Sequence, residues 1–323
     1  MKIVVTGALG QMGSRLIRGL PFSFPGSAIL MLDNLYSRRY GSLLDLPCEG
    51  NYRFLEADIL DADLCALFEG ARAVVHLAAI THPLPADSLE TMEEVNVYGT
   101  ERVAKACASV GAPLVFISTT SVYGKKEGTA EEKTAEDLNP QSPYAQSKLK
   151  AERLIRGFTD QGKLESVIFR FASVFGVSPG MQFQTAVHKF CRQAAAHQPV
   201  TVWRTAFRRR RPYLELKDAV RAIEFVIQNR LFGGDIYNAA TTHSTVEEII
   251  QIIRRRIPSL ALRFVDSALM NEWSYEVSSK RLANCGFEFQ GNLKEEIHHI
   301  LSRLEHSPAD CSKTSGARGG LDF

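Results

Sequence analysis

Tyr144 and Lys148 stand four residues apart in Ser142-Pro143-Tyr144-Ala145-Gln146-Ser147-Lys148. Pro143 suits the first turn of a helix, and residues i and i+4 share one helix face. An ammonium beside a phenol favours the phenolate. A tyrosine tuned towards neutral pH can act as a general base on a hydroxyl. Alone, the spacing is common by chance, and a solvated Tyr–Lys pair has the same pattern. Its weight comes from company. Ser118-Thr119-Thr120-Ser121-Val122-Tyr123-Gly124 places a run of hydroxyls just after an apolar stretch, with Thr119 25 residues before Tyr144.

A second group of residues reads as an anion cradle. Thr6-Gly7-Ala8-Leu9-Gly10-Gln11-Met12-Gly13 closes a β-branched run and opens an amphipathic one, with glycines spaced G-x-x-G-x-x-G. Glycines permit a tight turn and close backbone approach, and the helix that follows offers free N–H groups and a positive dipole end to a pyrophosphate. Glycine-rich turns also merely connect elements. The strand before and the helix after are what favour dinucleotide binding. Asp33 lies 20 residues after Gly13, at the end of the second strand-like run. A carboxylate there accepts hydrogen bonds from the adenosine ribose and repels a 2′-phosphate, which favours NAD over NADP. Arg38 and Arg39 follow closely and could greet that phosphate, which weakens the preference for NAD without reversing it. Asp58, after the third run, would meet the adenine amino group or simply cap a turn.

These residues need a scaffold, and the chain supplies one. Strand-like runs fall at Lys2–Thr6, Ala28–Asp33, Tyr52–Ala57, Ala73–Ala78, Pro113–Ser118 and Glu165–Phe171. Several are apolar at consecutive positions, as strands buried on both faces should be. Helical patterns lie between them, near Gln11–Leu20, Asp61–Phe68, Leu89–Ser109 and Pro143–Gln161. The alternation predicts an α/β fold, a Rossmann-type doubly wound parallel sheet. After Phe171 the rhythm loosens into helices near Phe183–Ala196, Lys217–Gln228, Thr245–Arg256 and Asn292–Leu304, with strands at Val200–Trp203 and Asp235–Ala239. This predicts a sheet unit of residues 1–172 and 215–243, and a smaller C-terminal substrate-binding unit of 173–214 and 244–305. Residues 306–323 are poor in apolar side chains and read as a loose tail.

Composition narrows the function classes. The 323 residues are 45% hydrophobic and 23% charged, ordinary for a globular protein and long enough for a sizeable core. The formal net charge of +2 gives no electrostatic mandate for nucleic acid or an anionic membrane as partner. No run approaches the ~20 apolar residues that span a bilayer, and the first residues lack a leader pattern, so a cytoplasmic location is expected. The six cysteines form no C-x-x-C pair and read as reduced packing thiols, with no metal site. Arg208-Arg209-Arg210-Arg211 is the densest charge, and such runs are usually solvated.

Taken in order, the glycine loop, His76-Leu77-Ala78-Ala79, Asn96-Val97-Tyr98-Gly99-Thr100, the Ser118–Gly124 segment and Tyr144-x-x-x-Lys148 resemble the extended short-chain dehydrogenase/reductases. Within these they resemble the NAD-dependent epimerase/dehydratase family of nucleotide-sugar enzymes, over about residues 1–305. The resemblance implies NAD as cofactor, a nucleotide sugar as substrate, and a homodimer paired through the helices near Leu89–Ser109 and Pro143–Gln161. It gives Thr119 the role of catalytic hydroxyl, Tyr144 that of acid/base, and Lys148 that of electrostatic partner and nicotinamide-ribose ligand. Gly7, Gly10, Gln11, Met12, Gly13, Asp33, Asn34, Asp58 and Ile59 would hold the adenine half of the cofactor. Leu77, Ala78 and Ala79 would line it, and Asn96 would support the site. Arg170-Phe171-Ala172-Ser173-Val174-Phe175-Gly176 resembles the loop beside nicotinamide and sugar, placing Phe171 and Val174 on the cofactor and Ser173, where the family often has Asn, on the substrate. Arg211-Pro212-Tyr213 resembles the segment whose arginine grips the diphosphate, with Pro212 in place of an Asp. Thr81, His82, Thr120 and Ser121 complete the implied substrate contacts.

The resemblance also sorts the reactions. The family's 4,6-dehydratases carry Asp-Glu directly after the catalytic Thr, and its decarboxylases commonly Ser-Glu. This chain has Thr120-Ser121, and neither can serve as a carboxylic acid. The remaining set of Thr119, Tyr144, Lys148 and NAD suits 4-epimerisation. A 4-reductase or an atypical dehydratase is the alternative within the family, and a non-catalytic NAD-sensing scaffold is the alternative outside it, since fold does not fix function.

Overall fold

The computed structural model describes residues 1–81, 89–124, 128–132, 138–266 and 275–305. The readings of His82 and of the 306–323 tail lie outside the described residues. Seven strands form one sheet in the spatial order Gly233–Ala239, Ser166–Phe171, Leu114–Thr119, Ala71–His76, Lys2–Thr6, Ala28–Asp33 and Asn51–Glu56. Every neighbouring pair is parallel. This is the doubly wound sheet expected from the alternation. Its order reverses between Lys2–Thr6 and Ala71–His76, and ligands of open α/β sheets bind outside the carboxyl ends of strands at such a switch point.

The first strand shows why its apolar run is continuous. Ile3 and Val5 enter the core on one face and Val4 enters the core on the other, each 0% exposed. Helices Gln11–Ser23 and Leu216–Gln228 cover the first face. Thr100–Val110 and Pro143–Asp160 contribute to the second. Among the described residues no helix is long and apolar enough to cross a membrane.

A separate core gathers Phe175, Val187, Phe190, Val200, Tyr213, Ile249, Ile253 and Ile300. Helices Ala186–Ala195, Val246–Arg256 and Leu293–Glu305 supply most of it. The strands around it are short: Ser173–Phe175, Arg211–Glu215 and Thr242–Ser244 in one sheet, Val200–Trp203 and Leu262–Val265 in another. Only Val200–Trp203 was legible beforehand, because runs of three to five residues carry no readable period. Tyr275, Val277, Leu282 and Phe287 join the core of the large sheet instead.

The helix expected near Leu89–Ser109 is interrupted. A π-helical stretch, Glu94–Gly99, separates the α-helices Leu89–Glu93 and Thr100–Val110. Asn96 in this stretch is fully buried. Its Oδ1 accepts from the Ile80 N–H at 2.8 Å, and its Nδ2 donates to the Ile80 carbonyl at 2.9 Å and to Ser147 Oγ at 3.1 Å. Single π-turns frequently mark functional sites.

Helix Pro143–Asp160 begins at Ser142, whose Oγ accepts from the Ala145 N–H, with Pro143 in the first turn. Two turns in, Glu152 meets Arg170 of the sheet. Arg170 donates through Nη2 to Oε2 at 2.7 Å and through Nε to Oε1 at 3.1 Å. Ser118 Oγ donates to the same carboxylate. Arg170 Nη1 donates to the Tyr123 hydroxyl at 3.0 Å, which donates to Asn238 Oδ1 at 2.8 Å. Both side chains of the ion pair are almost fully buried. Removing one partner of such a pair leaves the other charge uncompensated and costs about 3–5 kcal/mol. Arg170→Met is expected to lower the unfolding free energy by that amount, read from the midpoint of a urea titration at unchanged slope.

Candidate active site

The carboxyl ends of the sheet strands open on a cleft of about 1010 Å³, walled by the phosphate loop on one side and by residues of the separate core on the other. Gly7 has a φ of 66°, and a Cβ there would stand 2.6 Å from the Ala78 nitrogen. A Cβ on Gly13 would stand 2.4 Å from the Gly7 carbonyl oxygen. Glycine at these two positions therefore lets loop, strand end and helix meet backbone to backbone. Gly10, Gln11 and Met12 line the cleft with them. Helix Gln11–Ser23 has no side-chain acceptor at its Gly10 cap. Gln11 is buried and its Nε2 has no partner. A positive helix end, open backbone donors and an orphaned side-chain donor on one wall fit a dinucleotide pyrophosphate.

Asp33 ends the second strand. Its Oδ2 accepts from the Leu9 N–H at 3.0 Å and its Oδ1 from the Leu35 N–H at 2.9 Å, so it braces the phosphate loop. Asn34 Nδ2 donates to Asp58 Oδ2 at 2.8 Å, and Asp58 Oδ1 accepts from the Leu60 N–H at 2.9 Å. Asp33, Asn34, Asp58 and the buried Ile59 are not part of the cleft lining. Arg38 is exposed to solvent. Arg39 is half-buried, lines the cleft, and donates to Gln182 Oε1 at 3.2 Å. Burial pulls the Arg39 guanidinium pKa down, and Asp33 opposes that shift.

Thr119 ends the strand Leu114–Thr119, where its Oγ1 accepts from the Ser121 N–H at 3.1 Å. Thr119, Ser121 and Tyr144 line the cleft with Leu77, Ala79 and Thr81. Phe171, Ser173, Val174 and Arg211 line it from the following segments. Ala78 is turned aside, its N–H donating to Thr6 Oγ1 at 3.3 Å. Asn96 acts from behind through Ile80. Thr120 is buried and bonded to the Tyr275 hydroxyl at 3.3 Å, and the Arg211 guanidinium lies 5.1 Å from the centre of the Tyr275 ring. Trp203 also lines the cleft. Gln182, Lys189 and Tyr275 are lining residues that the sequence reading missed. Each lies in a stretch with no motif of its own, and only the helical pattern around Lys189 was readable.

Lys148 is buried one helical turn after Tyr144, with its Nζ 4.6 Å from the centre of the Phe116 ring. Burial drives its pKa down to about 7, and Glu152 opposes that shift. Burial also raises the Tyr144 phenol. Both shifts favour the neutral forms, the reverse of the phenolate–ammonium pair that the spacing suggests, because desolvation penalises either charge.

The model of the NAD dependent epimerase/dehydratase family matches residues 3–240, and the chain belongs to that family of enzymes, for which NAD is the cofactor. Among curated relatives, an uncharacterized UDP-glucose epimerase of Bacillus subtilis is 29% identical over 269 residues, covering 78% of this chain and 81% of the relative. The dTDP-D-glucose 4,6-dehydratase of Bos taurus is 27% identical over 318 residues, covering 93% and 87%. Among solved structures, UDP-glucuronic acid 4-epimerase from Bacillus cereus, in complex with UDP-glucuronic acid and NAD, superposes with a TM-score of 0.85 over 94% of this chain and 99% of that one. At 23% identity that likeness speaks to the fold.

The Lys148 shift has a measurable consequence. In the unfolded chain this lysine stays protonated up to its ordinary 10.5, in the folded chain only to about 7. Between those values the unfolded state binds more protons, so stability of the cofactor-free protein rises with pH across the window. Lys148→Met is expected to flatten this rise, checked by urea unfolding of both proteins at either end of the window.

Proposed function

We propose that this enzyme interconverts nucleotide sugars by NAD-dependent 4-epimerisation. The observation that carries the reading is the lining of the cleft: Thr119 and Tyr144 face it, and among the described residues no carboxylate does. Elimination of water across a sugar needs an acid and a base beyond the Tyr/Lys pair. Thr120 and Ser121, where dehydratases carry acids, offer only hydroxyls, and the Thr120 hydroxyl is engaged by Tyr275.

Bound along the glycine loop, NAD supplies a reversible acceptor for the hydride on the sugar's C4. Tyr144 takes the C4 hydroxyl proton and returns it to the keto oxygen once the sugar has turned over. Lys148, as an ammonium, steadies the phenolate during that exchange. Thr119 orients the reacting oxygen, and Arg211 holds the diphosphate through its planar fork of donors. A homodimer paired through the helices around Leu89–Val110 and Pro143–Asp160 accounts for the exposure of Leu89 and Tyr98. For the division of the chain, the cores support a sheet unit of 1–172 and 215–243 that also takes in 275–289, with the remainder of 173–305 as the substrate unit.

Purified holoenzyme offered UDP-glucose and UDP-glucuronic acid is expected to yield 4-epimers with no net change in NADH absorbance. Net NADH consumption identifies a reductase, and absence of turnover with NAD bound identifies a sensing or scaffold protein. Tyr144→Phe is expected to retain NAD and lose about 10²–10⁴ in kcat, because only the proton-carrying oxygen is gone. Thr119→Val should lose less. Arg211→Ala should chiefly raise KM, since the diphosphate is gripped equally in ground and transition states.

A further inference from the structure

The segment 178–184 lies across the phosphate loop. Gly180 donates its N–H to Ser14 Oγ at 3.0 Å. A Cβ on Gly180 would stand 2.4 Å from the Leu9 carbonyl oxygen and 2.5 Å from that of Gly10, so only bare backbone fits there. Two residues on, Gln182 Oε1 accepts from Arg39 Nη2 at 3.2 Å. Arg39 reaches this bond past Gly10, where a Cβ would lie 3.6 Å from Arg39 Nη1. Gly10, Gln11, Arg39 and Gln182 all line the cleft. Gln11, only 6% exposed, brings an Nε2 with no partner to the same wall.

We propose that Arg39 and Gln182 form a clamp over the pyrophosphate of the bound dinucleotide, which leaves only when the segment 178–184 lifts off the phosphate loop. The proposal rests on the dinucleotide-binding reading of the loop and not on which sugar is turned over. A guanidinium carries five donors in a fixed fork, so Arg39 can keep its bond to Gln182 while presenting other N–H groups to phosphate oxygens. Its positive charge beside a positive helix end is a repulsive arrangement that a phosphate converts into attraction from both sides. Asp33, which bonds the Leu9 N–H at the base of the loop, also attracts the Arg39 guanidinium. Gln182 precedes the helix Ala186–Ala195, which carries Lys189 to the opposite wall, so the clamp joins the cofactor side of the cleft to the substrate side. An enzyme that returns its cofactor to the starting redox state in every cycle gains from slow release.

The test is the rate of cofactor exchange. Holoenzyme loaded with NAD is mixed with excess fluorescent etheno-NAD, and replacement is followed in time. Arg39→Ala and Gln182→Ala are each expected to speed exchange about tenfold, equivalent to about 1.4 kcal/mol. The double variant should go no faster than the faster single, because both changes remove the same bond. Gly180→Ala, which pushes the segment off the loop, should also speed exchange. Arg39→Lys keeps the charge, loses the fork, and should fall between wild type and Arg39→Ala; it keeps the question open to measurement if Arg39→Ala does not fold. Exchange at the wild-type rate in Gln182→Ala, or a double variant whose effect is the product of the singles, overturns the clamp. Slow exchange without turnover of any nucleotide sugar overturns the epimerase reading and leaves the clamp standing. A protein that takes up no NAD overturns both.

Discussion

Glu152 carries a carboxylate into the interior, where Arg170, Ser118 and, through Arg170, Tyr123 and Asn238 receive it. A desolvated charge without a partner costs several kcal/mol, so a slip of the helix against the sheet that parted the two groups would be strongly opposed. The helix Pro143–Asp160 is thereby locked in rotation and height. Lys148 lies one turn before Glu152 on the same face, and Tyr144 one turn before that. Tyr144 and Lys148 thus inherit their position from an ion pair that is not part of the cleft lining. The same carboxylate holds Ser118, the neighbour of Thr119, so one interaction aligns Thr119 with the helix that carries Tyr144 and Lys148.

The rest of the active wall is set by hydrogen bonds to main chain. Asn96 grips both backbone groups of Ile80 and also reaches Ser147, whose hydroxyl donates to the Tyr144 carbonyl at 2.8 Å. The loop after Ala71–His76 and the start of the helix Pro143–Asp160 are therefore tied through a single buried amide. Buried amides of this kind must be fully satisfied to be tolerated, and a π-helical stretch is what turns Asn96 to where three partners converge.

Electrostatics complete the picture. The charged side chains among the described cleft residues are Arg39, Lys189 and Arg211, all cationic. A dinucleotide and a nucleotide sugar each bring a diphosphate, and a wall of one sign attracts both. Burial pushes Tyr144 and Lys148 towards their neutral forms, so the charge on the pair depends on what is bound beside it.

The strands of the large sheet, the glycine loop and the Tyr144–Lys148 face were legible in the sequence. Each is written in local periodicity or short spacing: consecutive apolar residues for strands buried on both faces, glycines at a strand–helix junction, and a four-residue step on a helix. The π-helical break at Asn96, the pairing of Thr120 with Tyr275 and the bond from Arg39 to Gln182 were not legible. Those residues meet across long stretches of chain, and a contact between distant segments leaves no period behind it. Arg39 shows the division most plainly. Close after Asp33 in the sequence it competes for a ribose phosphate, while in the fold it bonds Gln182 beside Gly10 of the phosphate loop, because only the packed structure brings those two stretches of chain together.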